Sequence, residues 1–184
     1  MLYLAFNKPY GILSQFTSDN PDNNLSKFNL PKDVYACGRL DKDSEGLLLL
    51  TNDGPLINIL LSPKYDKVKT YWVQVERIPS AESLEKLSLG VRIEDYITKP
   101  CQIKMLTPPP TVSERNPPVR FRKSVPTCWL EIKISEGKNR QIRKMTASIG
   151  HPTLRLIRVK IGQLSLGDIA PGEFRKIKRE DIIN

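Results

Sequence analysis

The segment Gly38-Arg39-Leu40-Asp41-Lys42-Asp43-Ser44-Glu45-Gly46-Leu47-Leu48-Leu49-Leu50-Thr51-Asn52-Asp53-Gly54 constrains the fold more than any other part of the chain. Leu47 to Leu50 is an unbroken apolar run, bounded by Gly46 on one side and by the turn residues Asn52, Asp53 and Gly54 on the other. A run this short between turn formers predicts a strand buried on both faces rather than a helix. A buried strand is rigid, so it holds whatever precedes it. Asp41 then occupies a short polar loop between Val34-Tyr35-Ala36-Cys37 and the leucines, a favourable place for a reactive carboxylate. The same residues also describe a surface turn that is merely acidic, and the segment alone leaves both readings open.

The remaining elements follow from periodicity and turn chemistry. Leu2 to Phe6 reads as a first strand, and Lys8-Pro9-Tyr10-Gly11 turns it toward Ile12-Leu13-Ser14. Residues 17–33 are polar and form a loop. Residues 55–62 suit a short helix, with Pro55 at an early position and Pro63 stopping it. Lys69 to Val75 alternates and is rich in β formers, which predicts a strand with Trp72 in the core and Tyr71 on the opposite face. Ser80 caps a helix that Gly90 ends. Tyr96 to Leu106 gives one or two strands, and Trp129 to Ile134 another with one solvated face. Between them Pro108-Pro109-Pro110 and Pro117-Pro118 bracket Arg115, Arg120, Arg122 and Lys123, a basic loop rather than a regular element. In Gln141 to Ile149 the apolar residues Ile142, Met145 and Ile149 define one helix face, while Arg140, Arg143 and Lys144 gather on another. Residues 154–159 and 173–177 finish as strands, and the tail from Lys178 frays. Strands with a few helices and no regular βαβ alternation predict an α+β fold around a mixed, mostly antiparallel sheet. At 184 residues the chain reads as a single domain, 1–184, built as one body or two lobes.

Charge is unevenly placed. Residues 1–114 carry 13 Lys/Arg against 14 Asp/Glu, whereas residues 115–184 carry 16 against 6, so the second part is the candidate polyanion surface. An excess of cations also serves simple solubility. Cys37, Cys101 and Cys128 are widely spaced and odd in number, which argues against a disulfide framework and a metal site. His151, before Pro152 in a turn, has no Cys or His neighbour in sequence. No stretch reaches a membrane span, and the first residues lack the basic end and long apolar region of a signal peptide, which places the chain in the cytoplasm.

Four stretches together resemble one family. Gly-Arg-Leu-Asp (38–41), followed by Gly-Leu-Leu-Leu-Leu-Thr-Asn-Asp-Gly (46–54), is similar to the catalytic segment of the RNA pseudouridine synthases, in the branch that modifies ribosomal RNA. Lys-Pro-x-Gly-x-Leu-Ser (8–14) resembles that family's opening motif, which helps shape the floor of the site. Lys69-Thr70-Tyr71 resembles its Lys-x-Tyr motif, and Glu136 to Arg143 its Glu-Gly-x-x-Arg-Gln-Ile-Arg motif. The resemblance implies Asp41 as the catalytic carboxylate, Arg143 as its charge partner and Tyr71 at the target base. It leaves Asp43, Glu45 and Asp53 as solvated or turn-forming carboxylates. Arg39, Lys69, Arg120, Arg122, Lys123, Arg140 and Lys144 are the expected RNA contacts. It further implies the family fold with flanking helices and a central cleft, no cofactor, no metal, a large-subunit (23S) ribosomal RNA partner and a monomer. It covers nearly the whole chain and leaves no room for a separate N-terminal RNA-binding module.

The chemistry so implied breaks the uracil–ribose bond, turns the base and rejoins it through carbon 5, with no group lost. A single ionised carboxylate suits this, either removing the ribose 2′ proton or attacking the anomeric carbon. A cation within ~4–6 Å would keep it ionised. Tyr71 combines a ring that stacks on a base with a hydroxyl that reaches a polar atom. Three other readings compete: a non-catalytic RNA-binding protein, a glycosidase using Asp41, Asp43 and Glu45, and the same isomerisation on transfer RNA. The glycosidase fits poorly, since those enzymes place two carboxyls across a sugar, usually from different elements.

Overall fold

A computed structural model describes residues 1–62, 67–120 and 122–183. It divides into two compact units, Met1–Lys67 with Arg158–Asn184, and Val68–Ile157. The chain is α+β, with a mostly antiparallel sheet and flanking helices.

In the first unit, β1 (Tyr3–Lys8), β2 (Tyr35–Ala36) and β3 (Glu45–Thr51) precede α1 (Gly54–Leu61). Every residue of β3 is buried, and Leu47, Leu48 and Leu50 are wholly so, as expected for a strand covered on both faces. Each such leucine contributes about 2 kcal/mol through lost apolar exposure. β1 pairs antiparallel with β3, Leu4 opposite Leu50 and Lys8 opposite Gly46. Leu4, Phe6, Ile12, Leu25, Val34, Leu48 and Leu50 close one core cluster, with Phe28 edge-on to Phe6 at 5.1 Å. The loop over residues 17–33 contains two short 3-10 turns, Pro21–Asn23 and Leu25–Lys27, capped by the side chains of Asn20 and Asn24. Asp53 caps α1, its carboxylate accepting from the Leu56 amide at 3.1 Å. The Pro63 stop expected for α1 lies outside the described residues.

The second unit contains β4 (Lys69–Glu76), α2 (Ala81–Leu89), β5 (Arg92–Ile93), β6 (Tyr96–Ile97), β7 (Gln102–Leu106), β8 (Thr127–Ile134) and α3 (Gln141–Ser148). β8 lies between β4 and β7, antiparallel to both. Ser80 caps α2 through the Ser83 amide, and Gly90 closes it. Leu87, Val91, Ile93 and Met145 form one core cluster of this unit, into which α3 turns its apolar face. Strand β9 (Thr153–Ile161) starts here and runs on into the first unit, where β10 (Leu164–Ser165), β11 (Phe174–Lys176) and α4 (Glu180–Ile183) follow.

Two expectations are corrected. The tail from Lys178 does not fray: it forms α4, with Ile182 3% exposed, and Asp181 caps its start by accepting from the Lys178 amide at 2.8 Å. On β4 the faces are the reverse of those expected. Tyr71, Val73 and Val75 form the buried row, while Trp72 is half-buried beside Gln74 and Glu76. The pairing decides this, since Tyr71 lies opposite fully buried Ile132 and Trp72 opposite Glu131.

Candidate active site

Asp41 is half-buried in the turn between Leu40 and the start of β3, in the first unit. The Ser44 amide donates to the Asp41 carbonyl at 3.0 Å and closes that turn. On its upstream side the Ser14 hydroxyl accepts from the Leu40 amide at 3.0 Å and donates to the Leu40 carbonyl at 2.8 Å. On its downstream side the Gly11 amide donates to the Lys42 carbonyl at 2.8 Å. Gly11 and Gly38 both have positive φ, +82° and +86°, so the two loops bend where only glycine bends cheaply.

Of the other carboxylates of the segment, Asp43 is half-buried, whereas Glu45 and Asp53 are buried rather than solvated. Glu45 and Asp53 are each 6% exposed. Asp53 accepts from the Tyr3 hydroxyl at 2.8 Å and pairs with Arg179 at 3.5 Å, so it fastens the strand end and helix cap. Those partners hold its pKa below the usual carboxylate range, the Tyr3 hydrogen bond most of all. Glu45 belongs to the charge environment of Lys8. Lys8 has no exposed surface, and its ammonium donates to the Pro9 carbonyl at 3.0 Å and the Ile12 carbonyl at 2.7 Å. Burial pushes its pKa down to about 7, against the pull of Glu45 and, more weakly, Asp43, which favour the charge.

That depression makes stability depend on pH. Below pH 7 Lys8 is charged in both folded and unfolded chains, and its contribution does not vary. Between about 7 and 10.5 the folded chain gives up a proton that the unfolded chain keeps, so stability rises with pH by up to ~1.4 kcal/mol per unit. Denaturant midpoints measured from pH 6 to 8.5 should therefore rise above pH 7, and Lys8→Met should remove that rise. An equal rise in the variant would show that the ammonium stays charged. The thiols act in the opposite sense near the top of this range: burial pushes Cys37 and Cys101 up to about 11, so the unfolded chain ionises its thiols first and stability falls above about pH 8, and the difference between the wild type and Lys8→Met isolates the Lys8 contribution.

Tyr71 and Arg143 lie in the second unit. Tyr71 is 9% exposed. Arg143 is half-buried on α3 and donates to the Thr153 carbonyl at 3.4 Å. The turn before α3 is folded by Gln141, whose side chain accepts from the Lys138 amide at 3.0 Å and donates to Glu136. Glu136 in turn accepts from the Lys99 amide at 2.9 Å. Arg140 caps α3 in the left-handed region, φ +52°, with its side chain exposed. An arginine held there costs about 1 kcal/mol, and such strain concentrates at functional turns.

The expected RNA contacts differ in how they are engaged. Arg39, Arg120 and Lys123 are exposed. Arg122 pairs with Glu76 at 3.0 Å, and Lys144 pairs with Glu94 at 2.8 Å. Lys69 donates to the Ser135 carbonyl at 2.9 Å. Within the basic loop Arg115 is structural: it donates to the carbonyls of Pro117, Pro118 and Leu154. His151 is also structural, its Nδ1 lying 3.0 Å from the Glu76 carbonyl. Among the described residues no group of three His, Cys, Asp or Glu side chains could hold a metal ion, and no helix is long and apolar enough to cross a membrane.

Sequence reading missed Lys8, Ser14 and Gln141. The signal was present, since each is a polar residue inside a recognised motif, but burial of such groups is settled only by what packs on them.

Residues 2–148 match the RNA pseudouridylate synthase family. The chain belongs to that family and is an RNA pseudouridine synthase, an isomerase. It is 55% identical over 172 residues to the ribosomal large subunit pseudouridine synthase E of Xanthomonas axonopodis pv. citri, covering 92% of this chain and 90% of that one. To the protein of the same name in Xanthomonas campestris pv. campestris it is 53% identical, covering 95% and 94%. A solved pseudouridylate synthase superposes with a TM-score of 0.79 at 26% identity, over 98% of this chain and 71% of that chain.

Proposed function

We propose that this enzyme converts a uridine of large-subunit (23S) ribosomal RNA to pseudouridine, with Asp41 as the reacting carboxylate. The observation that carries the assignment of Asp41 is its position: a half-buried carboxylate in a turn tied on both sides, directly ahead of a fully buried strand. The choice of substrate is supported by relatives named as ribosomal large subunit pseudouridine synthases and matched over nine-tenths of their length. Asp41 either takes the ribose 2′ proton or attacks the anomeric carbon. Both routes release uracil while its atoms stay in the site, and both need the carboxylate ionised. The motif assigns Arg143 as the countercharge and Tyr71 as the group that stacks on the base and assists loss of the carbon-5 proton. The isomerisation is redox-neutral and loses no group, so these side chains suffice without a cofactor. Turning the base requires it to leave its stack, at a cost of a few kcal/mol that contacts elsewhere must offset. Exposed Arg39, Arg120, Lys123 and Arg140 supply phosphate contacts. Arg122, Lys144 and Lys69 join them by exchanging their present partners for RNA. In this reading the enzyme works in the cytoplasm as a monomer.

The test is tritium release from carbon 5 of labelled uracil. Purified enzyme should release tritium from large-subunit ribosomal RNA, equally well in EDTA, and not from transfer RNA. Release from transfer RNA alone would move the substrate, and loss of release in EDTA would end the metal-free account.

A further inference from the structure

The hydrogen bonds around Asp41 single out a side chain that holds the neighbouring backbone, Ser14. Ser14 is 9% exposed, and its one hydroxyl serves both polar groups of Leu40, accepting from the amide and donating to the carbonyl. The Leu40 carbonyl is half of the peptide that carries the Asp41 amide, so anchoring it sets the plane from which the Asp41 side chain departs. Three residues earlier in the same segment, the Gly11 amide holds the Lys42 carbonyl, beyond Asp41. Asp41 is therefore suspended between two anchors that come from one short stretch, residues 11–14. That stretch is itself held. The buried Lys8 ammonium gathers the Pro9 and Ile12 carbonyls, and the Leu13 amide donates to the Asn23 carbonyl at 2.6 Å.

We infer that Ser14 is a positioning residue for the reaction: through Leu40 it sets the direction in which the Asp41 carboxylate points. This rests on Asp41 being the reacting carboxylate. A serine suits the task because its hydroxyl donates and accepts at once, which alanine cannot do. Losing it frees one peptide beside the carboxylate without removing any charge. Displacements on the order of 1 Å at a reacting group cost about 100-fold in rate, so the effect falls on chemistry rather than on RNA affinity.

The experiment measures single-turnover pseudouridine formation and RNA affinity for Ser14→Ala, Ser14→Thr, Ser14→Cys and Asp41→Asn on the same ribosomal RNA fragment. Ser14→Ala should slow the chemical step by roughly 10- to 100-fold and leave RNA affinity within about twofold. Ser14→Thr, which keeps the hydroxyl, should restore the rate. A wild-type rate for Ser14→Ala, a rate loss matched by an equal affinity loss, or a slow Ser14→Thr would each overturn the inference. So would failure of both Ser14→Ala and Ser14→Cys to unfold cooperatively, since the hydroxyl would then be holding the fold. Asp41→Asn separates the two claims. Normal turnover by that variant sinks the reading of Asp41, whereas an inactive Asp41→Asn beside a wild-type Ser14→Ala sinks the positioning role alone.

Discussion

Asp41→Asn should bind ribosomal RNA with wild-type affinity, unfold at the wild-type midpoint and release no measurable tritium, a rate loss of at least about 10³-fold. The substitution keeps the shape of the side chain and removes its charge, and with it both the base and the nucleophile. The fold should tolerate it, because the bonds that close the turn stay in place with Asn: the Ser44 amide to the Asp41 carbonyl, the Gly11 amide to the Lys42 carbonyl, and the Ser14 hydroxyl to both polar groups of Leu40. Asp43→Asn is the informative control. It is half-buried in the same turn, so an isomerase that needs one carboxylate should survive its loss, while a two-carboxylate glycosidase mechanism would not. Glu45→Gln tests a different property. With Glu45 buried and its charge offsetting the desolvation of Lys8, the variant should lose stability while the folded fraction still turns over. A fully active Asp41→Asn would remove the proposed mechanism.

The largest loss of stability is expected at a residue remote from the chemistry. Gly90 closes α2 with φ +107°, and a Cβ built there would lie 2.4 Å from the Thr98 carbonyl oxygen. That contact is with backbone, which cannot swing aside. The Thr98 peptide is pinned by two hydrogen bonds to Val91, the Thr98 amide to its carbonyl at 2.9 Å and the Val91 amide to the Thr98 hydroxyl at 3.0 Å. Gly90→Ala therefore adds positive-φ strain of about 1–3 kcal/mol to an overpacking cost of about 1–3 kcal/mol. At about 4 kcal/mol in all, the melting temperature should fall by roughly 8–16 °C in calorimetry. By contrast, a Cβ at Gly137 meets nothing within 4 Å, and Gly137→Ala should leave the transition nearly in place. Equal melting temperatures for the two variants would mean that the loop between α2 and β7 can yield.

The amino-acid sequence determined the elements whose local signals agreed with one another. Leu47–Leu50 between turn formers became β3, and Ser80 with Gly90 bounded α2. The spacing of Ile142, Met145 and Ile149 made an amphipathic α3. The linear motifs likewise made Asp41, Tyr71 and Arg143 the candidate site residues, because motif spacing survives in the sequence whatever the rest of the chain does. Where burial depended on a partner distant in sequence, only the tertiary structure could decide. Tyr71 rather than Trp72 faces the core because β8 places Ile132 opposite it, and no alternation within β4 says which face will be covered. The tail is helical because Ile182 finds a buried place in the first unit, whose internal contacts join residues more than a hundred positions apart, as in the bond from Lys67 to the Ile182 carbonyl. Lys8 and Ser14 read as ordinary polar residues of a turn. Enclosure took water away from them, leaving backbone carbonyls as partners for the one and the Leu40 peptide for the other. Removing a polar group from water is what turns a common residue into a constraint on the site, and that removal depends on the whole fold.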